Sequence, residues 1–139
     1  MRTVPALALA LALAPACSTA KPELSALATS VELFHRASND ERPGRADALA
    51  KVACQDEEVC AAKAACVEAT AATAEALRLK VQAEVLLAEV EEKKIPPDDD
   101  RVRALPASLD KASVLLKKGH DTMPACDQKI LVLRERYGL

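Results

Sequence analysis

Apolar residues recur at helical spacing near both ends of the chain, which predicts an all-α fold. The first such face has spacings of three and four and consists of Leu24, Leu27, Val31 and Phe34. The last face has the same kind of spacing and consists of Cys126, Ile130, Leu133 and Tyr137. Each face predicts one amphipathic helix with a single buried side.

The longest predicted helix follows Asp56 and continues to Lys94, because this stretch contains neither glycine nor proline. Asp56 and the two acids after it suit a helix N-terminus. About 37 residues would span about 55 Å. One apolar stripe consists of Ala74, Leu77, Val81, Val85 and Ala88. A second stripe consists of Leu79, Ala83, Leu86 and Val90. Two stripes favour a central helix with neighbours on opposite faces.

Proline, glycine and acidic residues indicate the ends of the other helices. We expect NDERPG, residues 39–44, to end the first helix, and a short helix to follow over about 45–53. We expect Asp98–Asp100 to cap a helix whose face is Val102, Leu105, Leu109, Ala112 and Leu116. Gly119 and Pro124 are expected to kink or break it, with a new cap at Asp121 and Thr122. The expected architecture is a long antiparallel helical hairpin packed with N-terminal helices, a three- to four-helix bundle.

Composition supports one helical domain over residues 23–139 and disfavours nucleic-acid binding. The apolar residues are mainly Ala, Leu and Val, the only aromatic residues are Phe34 and Tyr137, and there are three glycines. Small apolar side chains suit closely packed helices. The formal charge is −2, with acids and bases interspersed. Nucleic-acid binding usually needs a basic surface and stacking aromatics.

Residues 1–16, MRTVPALALALALAPA, have the plan of a secretory signal peptide. Arg2 supplies a positive charge, and an uncharged run follows from Thr3 to Ala16. Fourteen helical residues would reach about 21 Å, less than the hydrocarbon core of about 30 Å. We therefore expect this segment to be cleaved.

LAPAC, ending at Cys17, resembles the lipobox of bacterial lipoproteins, in which small residues precede a lipidated cysteine. The resemblance covers residues 1–17 and implies lipid on Cys17, a tether over 17–22 and anchoring on the periplasmic or outer face of a membrane. The odd number of cysteines, five, agrees with it, because lipid on Cys17 leaves an even set. Cleavage after Ala16 or Ala20 by ordinary signal peptidase would instead give a soluble periplasmic or secreted protein.

The other four cysteines predict disulfides rather than a metal or redox site. The spacings in CQDEEVCAAKAAC, residues 54–66, match neither a zinc knuckle nor a Cys-x-x-Cys motif. In an antiparallel helical hairpin, two residues that lie opposite each other have residue numbers with a constant sum. For a turn centred near 97 or 98, that sum is about 195. Cys66 with Cys126 fits that sum best. We therefore predict the bonds Cys66–Cys126 and Cys54–Cys60.

Catalytic motifs are not found, and we expect no enzyme, cofactor or metal site. No serine lies in a hydrolase motif, and neither His35 nor His120 has a catalytic partner in the sequence. The acids 98–100 lack the spacing of a calcium loop. We therefore expect a non-enzymatic exported lipoprotein, a structural or protein-interaction module of the bacterial cell envelope that binds the membrane and an envelope protein. The alternative is a periplasmic helical module that binds a small ligand or metal.

Overall fold

The structure, a computed structural model, describes residues 19–139, which contain helices and short connections and no strand. The helices are α1 (Ala20–Arg36), α2 (Arg42–Ala50), α3 (Glu57–Glu91), α4 (Asp100–Arg103) and α5 (Leu105–Tyr137). The all-α prediction is confirmed, and α3 and α5 form the predicted antiparallel hairpin. The predicted signal peptide, residues 1–16, and Cys17 lie outside the described residues.

The predicted face of α1 is confirmed, but the helix begins earlier than expected. Its buried residues are Ala20, Leu24, Leu27, Val31 and Phe34. Residues 20–22, which were expected to belong to a tether over 17–22, are already helical. The first turn accommodates Pro22, because an N–H at this position would have no partner within the helix.

The boundaries of α2 also differ from the prediction of about 45–53. This helix begins at Arg42, so Pro43 lies in its first turn, where proline is favoured. It ends at Ala50, and Leu49 is fully buried. Pro43 and Gly44 were expected to end the first helix, but they lie in the first turn of α2 instead.

Helix α3 begins as predicted and ends three residues early. The Asp56 carboxylate accepts hydrogen bonds from the backbone N–H groups of Glu58 and Val59, both at 3.0 Å. The predicted end was Lys94, but Lys93 has a left-handed φ of 59°. The N–H of Lys94 then donates to the carbonyl of Glu89 at 2.9 Å, which satisfies one of the last carbonyls of the helix.

The predicted C-terminal helix is divided at a different place than expected. Asp99 caps the four-residue α4, and α5 starts after Ala104. Pro106 has no N–H to continue the helical hydrogen bonds from α4. The predicted break at Gly119 and Pro124 is wrong, because α5 is one helix with Pro124 inside it. Buried Gly119 and Cys126 hold α5 against α3 on either side of this proline, and this packing outweighs the missing hydrogen bond.

Helices α1 and α2 cover only part of the hairpin, which divides the molecule into a body and an arm. The main core joins α1 and α2 to the start of α3 and the end of α5, and includes Leu24, Leu27, Leu49, Val59, Cys66, Cys126 and Leu133. A smaller cluster joins Phe34, Ala46 and Ala74. The body contains α1, α2, residues 57–78 and residues 115–137. The arm contains α4, residues 79–91 and residues 105–114, and its buried apolar side chains are Ala83 and Ala112.

Candidate functional site

Both predicted disulfides are present and lie in the body. Cys54 precedes α3 and bonds Cys60 in the first turn of that helix, with Cα atoms 5.4 Å apart. Cys66 bonds Cys126 across the hairpin, with Cα atoms 4.6 Å apart, and both residues are fully buried. Disulfides form and persist in oxidising compartments. The two bonds therefore indicate an extracytoplasmic environment.

The loop between α2 and α3 is also held by a carboxylate from α1. The Glu23 carboxylate accepts hydrogen bonds from the backbone N–H groups of Gln55, at 2.8 Å, and Asp56, at 3.1 Å. These bonds favour the ionised carboxylate and lower the pKa of Glu23. The start of α1 is thereby tied to the segment that links Cys54 to Cys60.

An apolar surface of the arm continues a stripe that is covered in the body. On α3, Ala74 packs with Ala46 of α2 and Leu77 is 6% exposed, whereas Val81 and Val85 in the arm are 48% and 56% exposed. We call Val81 and Val85 the arm face. The predicted neighbours on two faces of α3 are thus found in the body only.

A pocket of about 220 Å³ lies where α1, α2, α3 and α5 meet. We call it the four-helix pocket, and its lining residues are Phe34, His35, Arg42, Thr73, Leu116, Gly119, His120 and Met123. Both histidines of the chain therefore contribute to one cavity, although they are 85 positions apart. Sequence reasoning treated His35 and His120 as isolated residues and gave Arg42 no role.

Polar contacts at the four-helix pocket are unevenly distributed. His35 Nε2 lies 3.0 Å from a carboxylate oxygen of Asp127. The Arg42 guanidinium carbon lies 5.8 Å from the centre of the Phe34 ring, a cation–π arrangement. The Nε atom of Arg42 is buried and has no hydrogen-bond partner. Arginine thus provides the incompletely satisfied group at this pocket.

The acidic residues 98–100 lie at the start of α4, where the sequence predicts a helix cap. The Asp99 carboxylate accepts from the Arg101 backbone N–H at 2.9 Å and from its Nε at 3.0 Å. The Arg101 side chain lowers the pKa of Asp99 by favouring the charged carboxylate. Asp100 pairs with Arg103. Within residues 19–139, no three histidine, cysteine, aspartate or glutamate side chains are arranged to hold a metal ion.

Comparison of the chain with protein-family models, curated proteins and solved structures finds no match. Across the described part of the chain, no helix combines the length and apolar character needed to cross a membrane. The account of function therefore depends on the residues and geometry of this chain alone.

Proposed function

We propose that the chain is a non-enzymatic lipoprotein of a bacterial cell envelope that binds another envelope protein through its arm. The signal-like residues 1–16 and the resemblance of LAPAC to a lipobox support export and lipid attachment at Cys17. Several acyl chains on one cysteine would give stable membrane attachment, unlike a single chain. The two disulfides support an oxidising compartment on the far side of the inner membrane.

The position of α1 supports a definite orientation for the anchored protein. This helix begins at Ala20, so only residues 18 and 19 separate it from Cys17. Ala20 belongs to the core cluster that contains Val59 and Leu133, at the end of the hairpin farthest from the arm. Helix α3 spans about 50 Å from that end. Lipid on Cys17 would therefore keep the body next to the membrane and leave the arm free to reach a partner.

The exposure of the arm face is the observation that carries the proposed protein interaction. Val81 and Val85 belong to the stripe of α3 that α2 covers in the body. In the arm these two apolar side chains are exposed to solvent. Contiguous apolar side chains on a helical face favour binding of an amphipathic partner helix. Removal of their exposed area from water would contribute about 25 cal/mol per Å² to such binding.

Site-specific photo-cross-linking in intact cells tests this interaction. A photoreactive residue replaces Val85 in one variant and Val114 in the control. Val114 is 69% exposed and lies in the arm, on α5 rather than on α3. We expect a discrete cross-linked protein from position 85 only, and its loss when Val81→Asp is added. Equal products from both positions, or none from position 85, would contradict the proposal.

A further inference from the structure

The Nε atom of Arg42 is buried without a hydrogen-bond partner. Of the buried side-chain nitrogen and oxygen atoms in residues 19–139, it alone lacks a hydrogen-bond partner. Buried donors are almost always paired, and an unpaired donor on a charged group is costly. Arg42 has one long side-chain hydrogen bond, from Nη1 to Asn39 at 3.4 Å. The guanidinium therefore retains capacity for an acceptor.

The charge around Arg42 favours an anionic acceptor. No carboxylate lines the four-helix pocket. Within 19–139 the guanidinium groups of Arg78, Arg101 and Arg136 each pair with a carboxylate, whereas Arg42 has no such partner. The positive charge of Arg42 also opposes binding of a metal cation by the neighbouring imidazoles.

The remaining walls of the pocket favour a ligand with an apolar part. Phe34 is buried beneath the cavity, Met123 is half-buried, and Leu116 is 44% exposed at its edge. A volume of about 220 Å³ is below the usual range for drug-sized ligands, which starts at about 300 Å³. The cavity thus suits a small organic molecule rather than an extended one.

We propose that the four-helix pocket binds a small organic carboxylate. The carboxylate accepts hydrogen bonds from the Arg42 guanidinium, which suits paired donation to two oxygens. The apolar part of the ligand lies against Phe34, Leu116 and Met123. Neighbouring atoms cover Nε, so the Arg42 side chain turns toward the ligand on binding, and Nε gains its missing acceptor. This site depends on neither lipid at Cys17 nor the arm face.

Calorimetric titration of the full-length protein with acetate, butyrate and hexanoate tests the proposal, with hexanamide as the uncharged control. We expect affinity to rise by about fourfold for each buried methylene. We expect hexanamide to bind at least about tenfold more weakly than hexanoate, because it lacks the charge that strengthens hydrogen bonds to arginine.

Variants distinguish a built site from general apolar binding. Arg42→Gln is expected to weaken hexanoate binding at least about tenfold. The matched change Arg45→Gln, at an exposed position of the same helix, is expected to leave it unchanged. Leu116→Ala, at a partly exposed position, reduces the dependence on chain length and serves if Arg42→Gln does not fold.

The proposal would be overturned if no carboxylate binds, if hexanamide binds as tightly as hexanoate, or if Arg42→Gln keeps full affinity. Binding of copper or zinc ions in the same titration, without binding of the carboxylates, would also overturn the proposal and would assign the pocket to a metal. None of these outcomes changes cross-linking at position 85, so they are separable from the proposed envelope function.

Discussion

Glu23 shows how a single side chain joins two parts of the body. Its carboxylate accepts backbone hydrogen bonds from Gln55 and Asp56, two positions of the loop before α3. Asp56 in turn caps α3. One carboxylate therefore connects the first turn of α1 to the cap of the longest helix, beside the Cys54–Cys60 bond.

The lowered pKa of Glu23 predicts a pH-dependent contribution to stability. A carboxyl group with a depressed pKa in the folded state stabilises the fold above its unfolded pKa, and this contribution is lost as pH falls through the folded pKa. We expect Glu23→Gln to lower the free energy of unfolding at pH 7, with the deficit disappearing near about pH 2.

Urea unfolding across that pH range provides the measurement. Glu32→Gln is the control, because Glu32 lies on the same helix in an exposed pair with Arg36. Exposed pairs of this kind contribute little. A deficit for Glu23→Gln that stays constant with pH would contradict the role of its ionised carboxylate.

At the scale of helices, Gly119 allows α5 to approach α3 closely. A Cβ at this position would lie 2.2 Å from Thr73 Oγ1 and 3.0 Å from the carbonyl oxygen of Ala69. Both distances are shorter than van der Waals contact. Glycine is thus required here by packing against the neighbouring helix, although it is a poor helix former.

We expect Gly119→Ala to destabilise the fold by about 1–3 kcal/mol, because overpacking exceeds the gain in helix propensity. Gly44→Ala is the matched control, since a Cβ at Gly44 meets nothing within 4 Å. That change is expected to be neutral or stabilising by up to about 1 kcal/mol. Free energies of unfolding from urea titrations measure both effects, and equal stabilisation by the two alanines would contradict the close approach.

The helices were largely predictable because their faces and caps are local signals. The buried face of α1 and the Asp56 cap follow from spacing and residue type. The continuity of α5 through Pro124 was not predictable, because it depends on packing of Gly119 and Cys126 against a helix distant in sequence. Local rules indicate where a helix is weakened, whereas tertiary contacts decide whether it ends there.

At the scale of the whole molecule, the disulfides strengthen a body that lacks large side chains. Its core consists mainly of alanine, leucine and valine, with Phe34 as the one phenylalanine. Cys66–Cys126 spans 60 positions and Cys54–Cys60 spans six. In the chain-entropy model, a longer closed loop gives the larger stabilisation.

We expect removal of Cys66–Cys126 by paired Cys→Ala changes to lower the free energy of unfolding by about 4 kcal/mol. The corresponding loss for Cys54–Cys60 is expected to be about 2 kcal/mol. Urea unfolding of the two double variants under oxidising conditions measures the difference. An equal or larger loss for the shorter loop would contradict this ranking.

The disulfide pairing was predictable from the antiparallel hairpin, but the four-helix pocket was not. The sum of residue numbers selects Cys126 as the partner of Cys66 without knowledge of side-chain packing. The pocket instead depends on the angle at which α1 and α2 meet the hairpin, which brings His35, Arg42 and His120 together. Periodicity in the sequence contains no information about that angle.

The intact mass of the protein extracted from native membranes, before and after reduction, tests the central claim most directly. The account predicts the mass of residues 17–139 plus acyl groups, with a gain of four hydrogens when the two disulfides are reduced. An unlipidated mass would contradict attachment at Cys17, and the absence of a gain on reduction would contradict the two disulfides.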